Sequence, residues 1–387
     1  MKEIVGRVVF LQQSVFGGLG RVIEKVALGL KQHGWTVQVR SYKVDPEIEV
    51  RLREGGIEYS YIDIERIPRN WRAIKGVLVE NPDALIVSSG ALLNCAVLAV
   101  RSVMRVGGSV CVRDDVDLWE STKRLSPWRR VVLRRLIKSL YRHADGRVVV
   151  CEELRAGTAK MAGLDASDVE VILNPAWDVD FARLAEEPVS HPWIGAAPLV
   201  VSTGRMVPQK DFATLIRAMS AVHERTGARC IIVGDGPGRT LLESVIRETG
   251  AAEYVALVGW DANPFRWVKR GNVFVLASHY EGFGLVLVEA MGLGVSVVSS
   301  DCPVGPREIL ENGRLGHLVP VGDVQRMGEA IVEALQQPHY SGQLQAAAAE
   351  YSISHAVEGY DKAFRRILGG AASSGVGVSV RIGDKGV

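Results

Sequence analysis

Cysteine is scarce in this chain of 387 residues, with five in all. They stand apart as Cys95, Cys111, Cys151, Cys230 and Cys302, with no Cys-x-x-Cys spacing. That excludes a disulfide framework and a zinc site of the usual spacing, and fits reduced thiols in a cytoplasmic protein. Charge of one sign is also lacking. Lys and Arg total 46 against 44 Asp and Glu, a net charge of +2, so nothing in the global charge points to nucleic acid as a partner. No apolar run reaches the roughly 18 residues of a membrane span. The longest candidate, 84–100, is broken by Ser88-Ser89-Gly90 and Asn94. The opening stretch carries Glu3 and Arg7, and its apolar run meets Gln12-Gln13 too soon for a signal peptide. No Ser/His/Asp or Cys/His arrangement and no internal repeat is readable.

What is present is alternation. Apolar runs of strand length, 8–12, 36–41, 84–88, 109–112 and 146–150, are separated by amphipathic helical stretches. A second series follows at 199–202, 229–233, 255–258, 273–276 and 295–299. Near-continuous Val/Ile/Leu runs of this kind are what a parallel sheet covered on both faces requires. The expected fold class is α/β, with two successive doubly wound, Rossmann-like domains at about 1–180 and 181–352. The join is marked by Pro175, Pro188, Pro192 and Pro198. A late helix is expected at about 353–368, then a flexible, Gly- and Ser-rich tail over 369–387.

The chemistry concentrates after residue 200. Glu281 and Glu289 bracket Gly282-Phe283-Gly284-Leu285, placed between a strand-like run and a helical pattern. A loop of small residues at a helix N-terminus offers free N–H groups and a positive dipole end. Beside it, two carboxylates accept hydrogen bonds from hydroxyls. The combination suits an anionic, polyhydroxylated ligand, of which a sugar nucleotide is the obvious example. Gly204 turns the chain after 199–202, and Arg205 and Lys210 then project from the end of the second sheet where such sheets bind ligands. Gly17-Gly18-Leu19-Gly20 opens the first helix, and Gly234-Asp235-Gly236-Pro237-Gly238 follows a later strand. Both mimic a dinucleotide loop, but the first does not complete the fingerprint, since Ile23 stands where it would need its last glycine.

Taken in order, Gly17-Gly18-Leu19-Gly20, Asn174-Pro175, Gly204-Arg205 with Lys210-Asp211, Gly234-Asp235-Gly236, the Glu-x7-Glu run and Asp301-Cys302-Pro303-Val304-Gly305-Pro306-Arg307-Glu308 resemble the retaining glycosyltransferases of family 4, which have the GT-B fold. The resemblance spans about residues 5–368 and is strongest after 195. It implies two domains facing across a cleft, the late helix crossing back to the first. It also implies a nucleotide-sugar donor, UDP-linked by default, and a saccharide or lipid-linked acceptor in bacterial glycan or polysaccharide assembly. Arg205 and Lys210 would grip the diphosphate, Glu281 the sugar and Glu289 the ribose. The backbone of Gly282, Phe283, Gly284 and Leu285, with Gly17, Gly18, Gly204 and Gly234, would line the donor. No cofactor and no metal is expected. A sugar-nucleotide epimerase of the same fold, and a non-catalytic sugar-nucleotide-binding protein, are the competing readings.

Two segments stand outside that pattern. Many members carry a His after the strand at 109–112. Here Arg113, Asp114 and Asp115 occupy the place, and the acids serve either the acceptor or a loop cap. The segment 128–142 is basic. On a helical wheel Arg130, Arg134, Arg135, Lys138 and Arg142 share one side, and Trp128, Val132, Leu133, Leu136, Ile137 and Leu140 the other. The apolar side is expected to pack on the first sheet. The basic side is expected either to be solvated or to sit on an anionic membrane surface, giving a cytoplasmic protein peripheral at the inner face of the membrane.

Overall fold

The computed structural model describes residues 5–65, 67, 70–123 and 125–373. The first sheet comprises β1 (Gly6–Val15), β2 (Trp35–Val44), β3 (Glu58–Tyr61), β4 (Leu85–Ser89), β5 (Ser109–Asp114), β6 (Gly146–Val149) and β7 (Glu170–Val171). All pair in parallel, in the order β3-β2-β1-β4-β5-β6-β7. The second comprises β8 (Leu199–Thr203), β9 (Arg229–Val233), β10 (Val255–Gly259), β11 (Val273–Leu276), β12 (Ser296–Ser300) and β13 (His317–Val319), in the order β10-β9-β8-β11-β12-β13. The apolar runs follow from burial on both faces. Val8 and Phe10 join one core layer of the first sheet while Val9 and Leu11 join the other. Val200 and Val201 divide in the same way in the second.

Strand order reverses between β1 and β4 in one sheet and between β8 and β11 in the other. Ligands of open parallel sheets sit at these switch points, outside the C-terminal strand ends. The two ends face each other across a cleft. A Cβ added at Gly18 would lie 3.3 Å from Leu285 Cδ1, and one at Gly282 3.3 Å from the Asp115 carbonyl oxygen.

Ile353–Ser373 is one helix that returns to the first domain. Tyr360, Ala363, Phe364 and Ile367 enter the core formed by Val8, Phe10 and Trp35. Burial of a large apolar side chain is worth about 2 kcal/mol, so this helix completes the domain. Trp35 Nε1 donates to Asp361 Oδ1 at 2.7 Å. The outgoing and returning segments are bonded to each other. Ala176 N and Trp177 N donate to the Tyr351 oxygen at 2.9 and 3.0 Å, and Ile353 N to the Trp177 oxygen at 3.2 Å. The returning helix runs five residues beyond the expected end at 368, and the remainder of the expected tail, 374–387, lies outside the described residues.

The basic helix, Pro127–Leu140, sits differently from the wheel reading. Leu133 and Ile137 are buried, with Tyr141 just beyond the helix end, forming an i, i+4 ridge. Arg130 and Arg134 turn inward with them. Arg130 Nη2 donates to the Lys123 oxygen, and Arg134 caps Thr122 Oγ1 while lying 3.5 Å over the Trp119 ring. Trp128, Val131, Val132 and Leu136 therefore face solvent, Trp128 at 65% exposure. The preceding helix, Leu118–Lys123, offers oxygens and a ring that hold two arginines, so the buried arc cuts across the apolar and basic sides.

Candidate active site

The loops after β8 and β11, the strands flanking the second switch point, carry the central group. After β8 a 3-10 turn, Pro208–Lys210, runs into Asp211, whose carboxylate caps the next helix at Thr214 N and Oγ1. The lysine is thereby aimed back over the sheet, where its Nζ lies 2.8 Å from Glu281 Oε1. Ser278 Oγ donates to the same oxygen at 2.5 Å. The two loops are further tied by His279 N to the Gln209 oxygen (2.8 Å) and Gln209 Nε2 to the Tyr280 oxygen (2.9 Å). Lys210 and Glu281 are largely buried, while Arg205 is exposed.

Gly284 (φ +95°) breaks the chain into the helix Leu285–Gly292, whose first amides receive no side-chain cap. Phe283 is held from behind. Gly305 (φ +100°) brings its Cα so close that an added Cβ would stand 1.7 Å from the Phe283 oxygen. Gly234 does the same for the loop after β8, where a Cβ would meet the Gly204 oxygen at 2.0 Å. In this structure Gly234 is spent on loop packing. Gly17 (φ +57°) has open space where a Cβ would go, and Gly18 lies against Leu285.

Glu289, half-buried one turn into its helix, has its carboxyl pushed up by burial and pulled back by the positive charges of Lys25, Arg21 and Lys210. Arg21 and Lys25 come from the first helix, Gly17–Gln32, of the other domain. Burial lowers the Lys25 ammonium, which donates to the Pro175 oxygen at 3.4 Å and covers the Phe181 ring at 4.3 Å. Sequence reasoning passed over this pair, although their i, i+4 spacing straight after the glycine run was the available signal.

It also left Glu308 without a role. Its two oxygens accept from Glu152 N and Glu153 N at 3.0 Å each, capping the helix Glu152–Ala162 from the opposite domain. In return Glu153 Oε2 accepts from Gly305 N at 2.9 Å. Each domain thus caps a backbone end of the other.

Of the three tentative acceptor residues, Arg113 and Asp114 are engaged in the first domain's interior. Arg113 is fully buried, donating from Nε to the Tyr360 hydroxyl (2.7 Å) and from Nη2 to Asn174 Oδ1 (2.8 Å). Its Nη1 forms a 2.5 Å ion pair with Asp115 Oδ1, out of hydrogen-bond alignment. Asp114 accepts from Asn94 Nδ2 and the Tyr141 hydroxyl at 3.1 and 3.0 Å in the interior of the first domain. Burial pushes its carboxyl up to about 7. Of the three, Asp115 alone approaches the cleft, through its carbonyl against Gly282. Among the described residues no group of three His, Cys, Asp or Glu side chains is placed to hold a metal.

This arrangement accords with the comparisons. Residues 16–176 match the model for Glycosyltransferase Family 4, and residues 197–337 that for Glycosyl transferases group 1. An uncharacterized glycosyltransferase of Methanocaldococcus jannaschii is 25% identical over 253 residues, 63% of this chain and 62% of the relative. The Campylobacter jejuni N-acetylgalactosamine-N,N'-diacetylbacillosaminyl-diphospho-undecaprenol 4-alpha-N-acetylgalactosaminyltransferase is 32% identical over 137 residues, 35% of this chain and 37% of the relative. The chain thus matches less than two thirds of the length of either. In the solved structures, Anabaena HepE in complex with UDP superposes with a TM-score of 0.75 at 19% identity, over 92% of this chain and 98% of that one. With one family model on each domain, and paired Rossmann-like sheets whose switch points meet across a cleft, the chain belongs to the family 4 glycosyltransferases of GT-B fold.

Proposed function

We propose that the protein is a retaining glycosyltransferase that moves a sugar from a nucleotide sugar, UDP-linked, to a saccharide or lipid-linked acceptor in bacterial glycan assembly. One observation carries the reading, the Lys210–Glu281–Ser278 group at the second switch point. An ammonium has three donors, so the bond to Glu281 leaves two for a diphosphate. Lys210 and Ser278 both use Glu281 Oε1, which leaves Oε2 for a sugar hydroxyl. Arg205 adds a bidentate grip on phosphate, and the uncapped amides after Gly284 face the same charge. Glu289 takes the ribose hydroxyls. As the sugar–phosphate bond breaks, charge grows on the leaving oxygen and is met by Lys210 and Arg205. That oxygen takes the acceptor proton while the new bond forms on the same face. These cations supply the charge stabilisation, so no divalent cation is required.

Support for a UDP-linked donor comes from the UDP complex of HepE, and for a lipid-linked acceptor from the diphospho-undecaprenol in the Campylobacter enzyme's name. The acceptor's place at a membrane is supported by the outward face of the basic helix. It shows Trp128, Val131, Val132 and Leu136 beside exposed Arg129, Arg135, Lys138 and Arg142. Among the described residues no helix is long and apolar enough to span a bilayer, so contact through this face would be peripheral.

The test is turnover of a UDP-sugar panel, read as UDP release with the product's anomeric configuration followed by NMR. Lys210→Ala or Arg205→Ala is expected to cost about 10²-fold or more in turnover with the fold intact. Near-normal turnover in both, an inverted product, or activity lost to chelator and restored by Mn²⁺ would overturn the reading.

A further inference from the structure

β1 and β2 are unusual in the first sheet for their length. They pair with each other as far as Val15↔Val44, whereas β4 leaves β1 at Leu11↔Ser88 and β3 leaves β2 at Ser41↔Tyr61. A two-stranded ribbon therefore projects past the sheet on the side of the cleft. Between this ribbon, the end of β3 and the helix Pro46–Glu54 lies a recess of about 500 Å³. Phe16, Tyr42, Tyr59 and Tyr61 line it. Four of the chain's 8 Phe and 9 Tyr thus meet at one small place. Phe16 is 47% and Tyr61 63% exposed, and the Tyr42 and Tyr61 rings stand 5.9 Å apart at 48°.

Charged groups rim the rings. Lys43 Nζ lies 5.4 Å from the Tyr42 ring centre. Arg53 lies 5.4 Å from that of Tyr59 and sends Nε and Nη2 to one oxygen of Glu49, Oε1, so Glu49 Oε2 takes no part in the pair. This lining selects among ligands. A lipid tail gains nothing from three charges. A phosphate meets one cation not already neutralised by a carboxylate. A sugar ring has C–H faces to lay on the exposed tyrosine and phenylalanine, and hydroxyls that both donate and accept. Phe16 also immediately precedes Gly17 and Gly18, and Gly18 lies against Leu285 of the donor loop, so the recess borders the cleft side of the domain.

We infer that this recess is a subsite for a saccharide ring of the acceptor, stacked on Tyr61 and Phe16 and hydrogen-bonded by Lys43 and Glu49. The inference rests on the glycosyl-transfer reading for the ligand's role, while saccharide binding itself is measured without any transfer. Saturation-transfer NMR on the full chain, with methyl β-D-glucoside, methyl β-D-galactoside, methyl α-D-mannoside and methyl N-acetyl-β-D-glucosaminide as probes, reads ring-proton contact directly. UDP affinity is measured alongside by calorimetry. At least one glycoside is expected to bind. Tyr61→Ala is expected to weaken it about tenfold, Lys43→Ala less, and Tyr61→Phe little because the ring face survives, with UDP affinity changed by less than about twofold throughout. Tyr61 is exposed, and an unchanged melting curve confirms the fold. Binding by none of the glycosides, or glycoside binding indifferent to Tyr61→Ala, overturns the subsite. Loss of UDP affinity in Tyr61→Ala makes the recess a nucleotide pocket instead, which also overturns it. Failure of the wild type to bind UDP counts against the transferase reading and leaves the glycoside result to decide the recess.

Discussion

Two pairs of glycines at the C-terminal edges of the two sheets stand in opposite surroundings. On the second, Gly234 and Gly305 are wedged against backbone, with the Gly204 oxygen and the Phe283 oxygen where a side chain would begin. On the first, Gly17 and Gly90 have positive φ and open space around them. The second edge is a set of loops braced against one another by their own backbone. The first edge is open, and its surface chemistry lies in side chains such as Phe16 and Tyr61. Bracing suits a ligand whose diphosphate and ribose are fixed features, because preorganised amides and cations lose little on binding. An open edge lined by replaceable side chains suits a ligand that differs from one enzyme to the next.

The contrast is sharpest under a single methyl group. Gly305→Ala forces the loop at Phe283 to move, since L residues resist φ near +100° and the Cβ has nowhere to go. It is expected to cost at least about 4 kcal/mol and abolish UDP binding, whereas Gly17→Ala, in a left-handed but uncrowded position, costs about 1 kcal/mol. Chemical denaturation and calorimetry on both variants check this, and equal effects would erase the distinction between the edges.

The next largest effect belongs to the interior of the first domain. Asp114 has its folded-state carboxyl raised to about 7, so the folded protein binds the proton more tightly than the unfolded chain. This group's contribution to stability is then greatest at low pH and declines as pH rises from about 4 to 7, by up to about 4 kcal/mol. Asp114→Asn is expected to flatten that decline in melting curves taken across the range. A decline of unchanged slope would show the titration to lie elsewhere.

The smallest effect is at the surface. Exposed Arg129, Arg135, Lys138 and Arg142 near an anionic membrane are worth about 1 kcal/mol each at most, and salt should weaken the binding. Co-sedimentation with vesicles containing phosphatidylglycerol is expected to exceed that with neutral vesicles and to fall when Arg135, Lys138 and Arg142 become Glu. Equal binding to both vesicle types would leave the face solvated.

Much of this architecture is legible from residues alone, and the exceptions have physical causes. The ten strands read from apolar runs all form. The three passed over, β3, β7 and β13, are short strands on sheet edges with one neighbour each. Glu58-Tyr59-Ser60-Tyr61 and Glu170-Val171 lack the doubly buried run that marks an interior strand. The Glu281 and Lys210 loops meet because both follow strands at the switch point. The orientation of the basic helix was not legible, since Arg130 and Arg134 find partners on a neighbouring helix that a wheel cannot represent. Nor were the cross-domain caps at Glu308 and Glu153, which depend on how two separately folded sheets approach each other.

The returning helix also sets an order of events during synthesis. Domains ordinarily begin to fold as they emerge from the ribosome, first domain first. Here Phe364 and Tyr360 fill the first domain's core, and the Tyr360 hydroxyl is a partner of the buried Arg113. Until those residues are made, Arg113 lacks its Tyr360 partner and keeps only Asn174 and Asp115, and the groove beside Trp35 stays open. The domain translated first is therefore finished last, after the whole nucleotide-binding half has been laid down between its two parts.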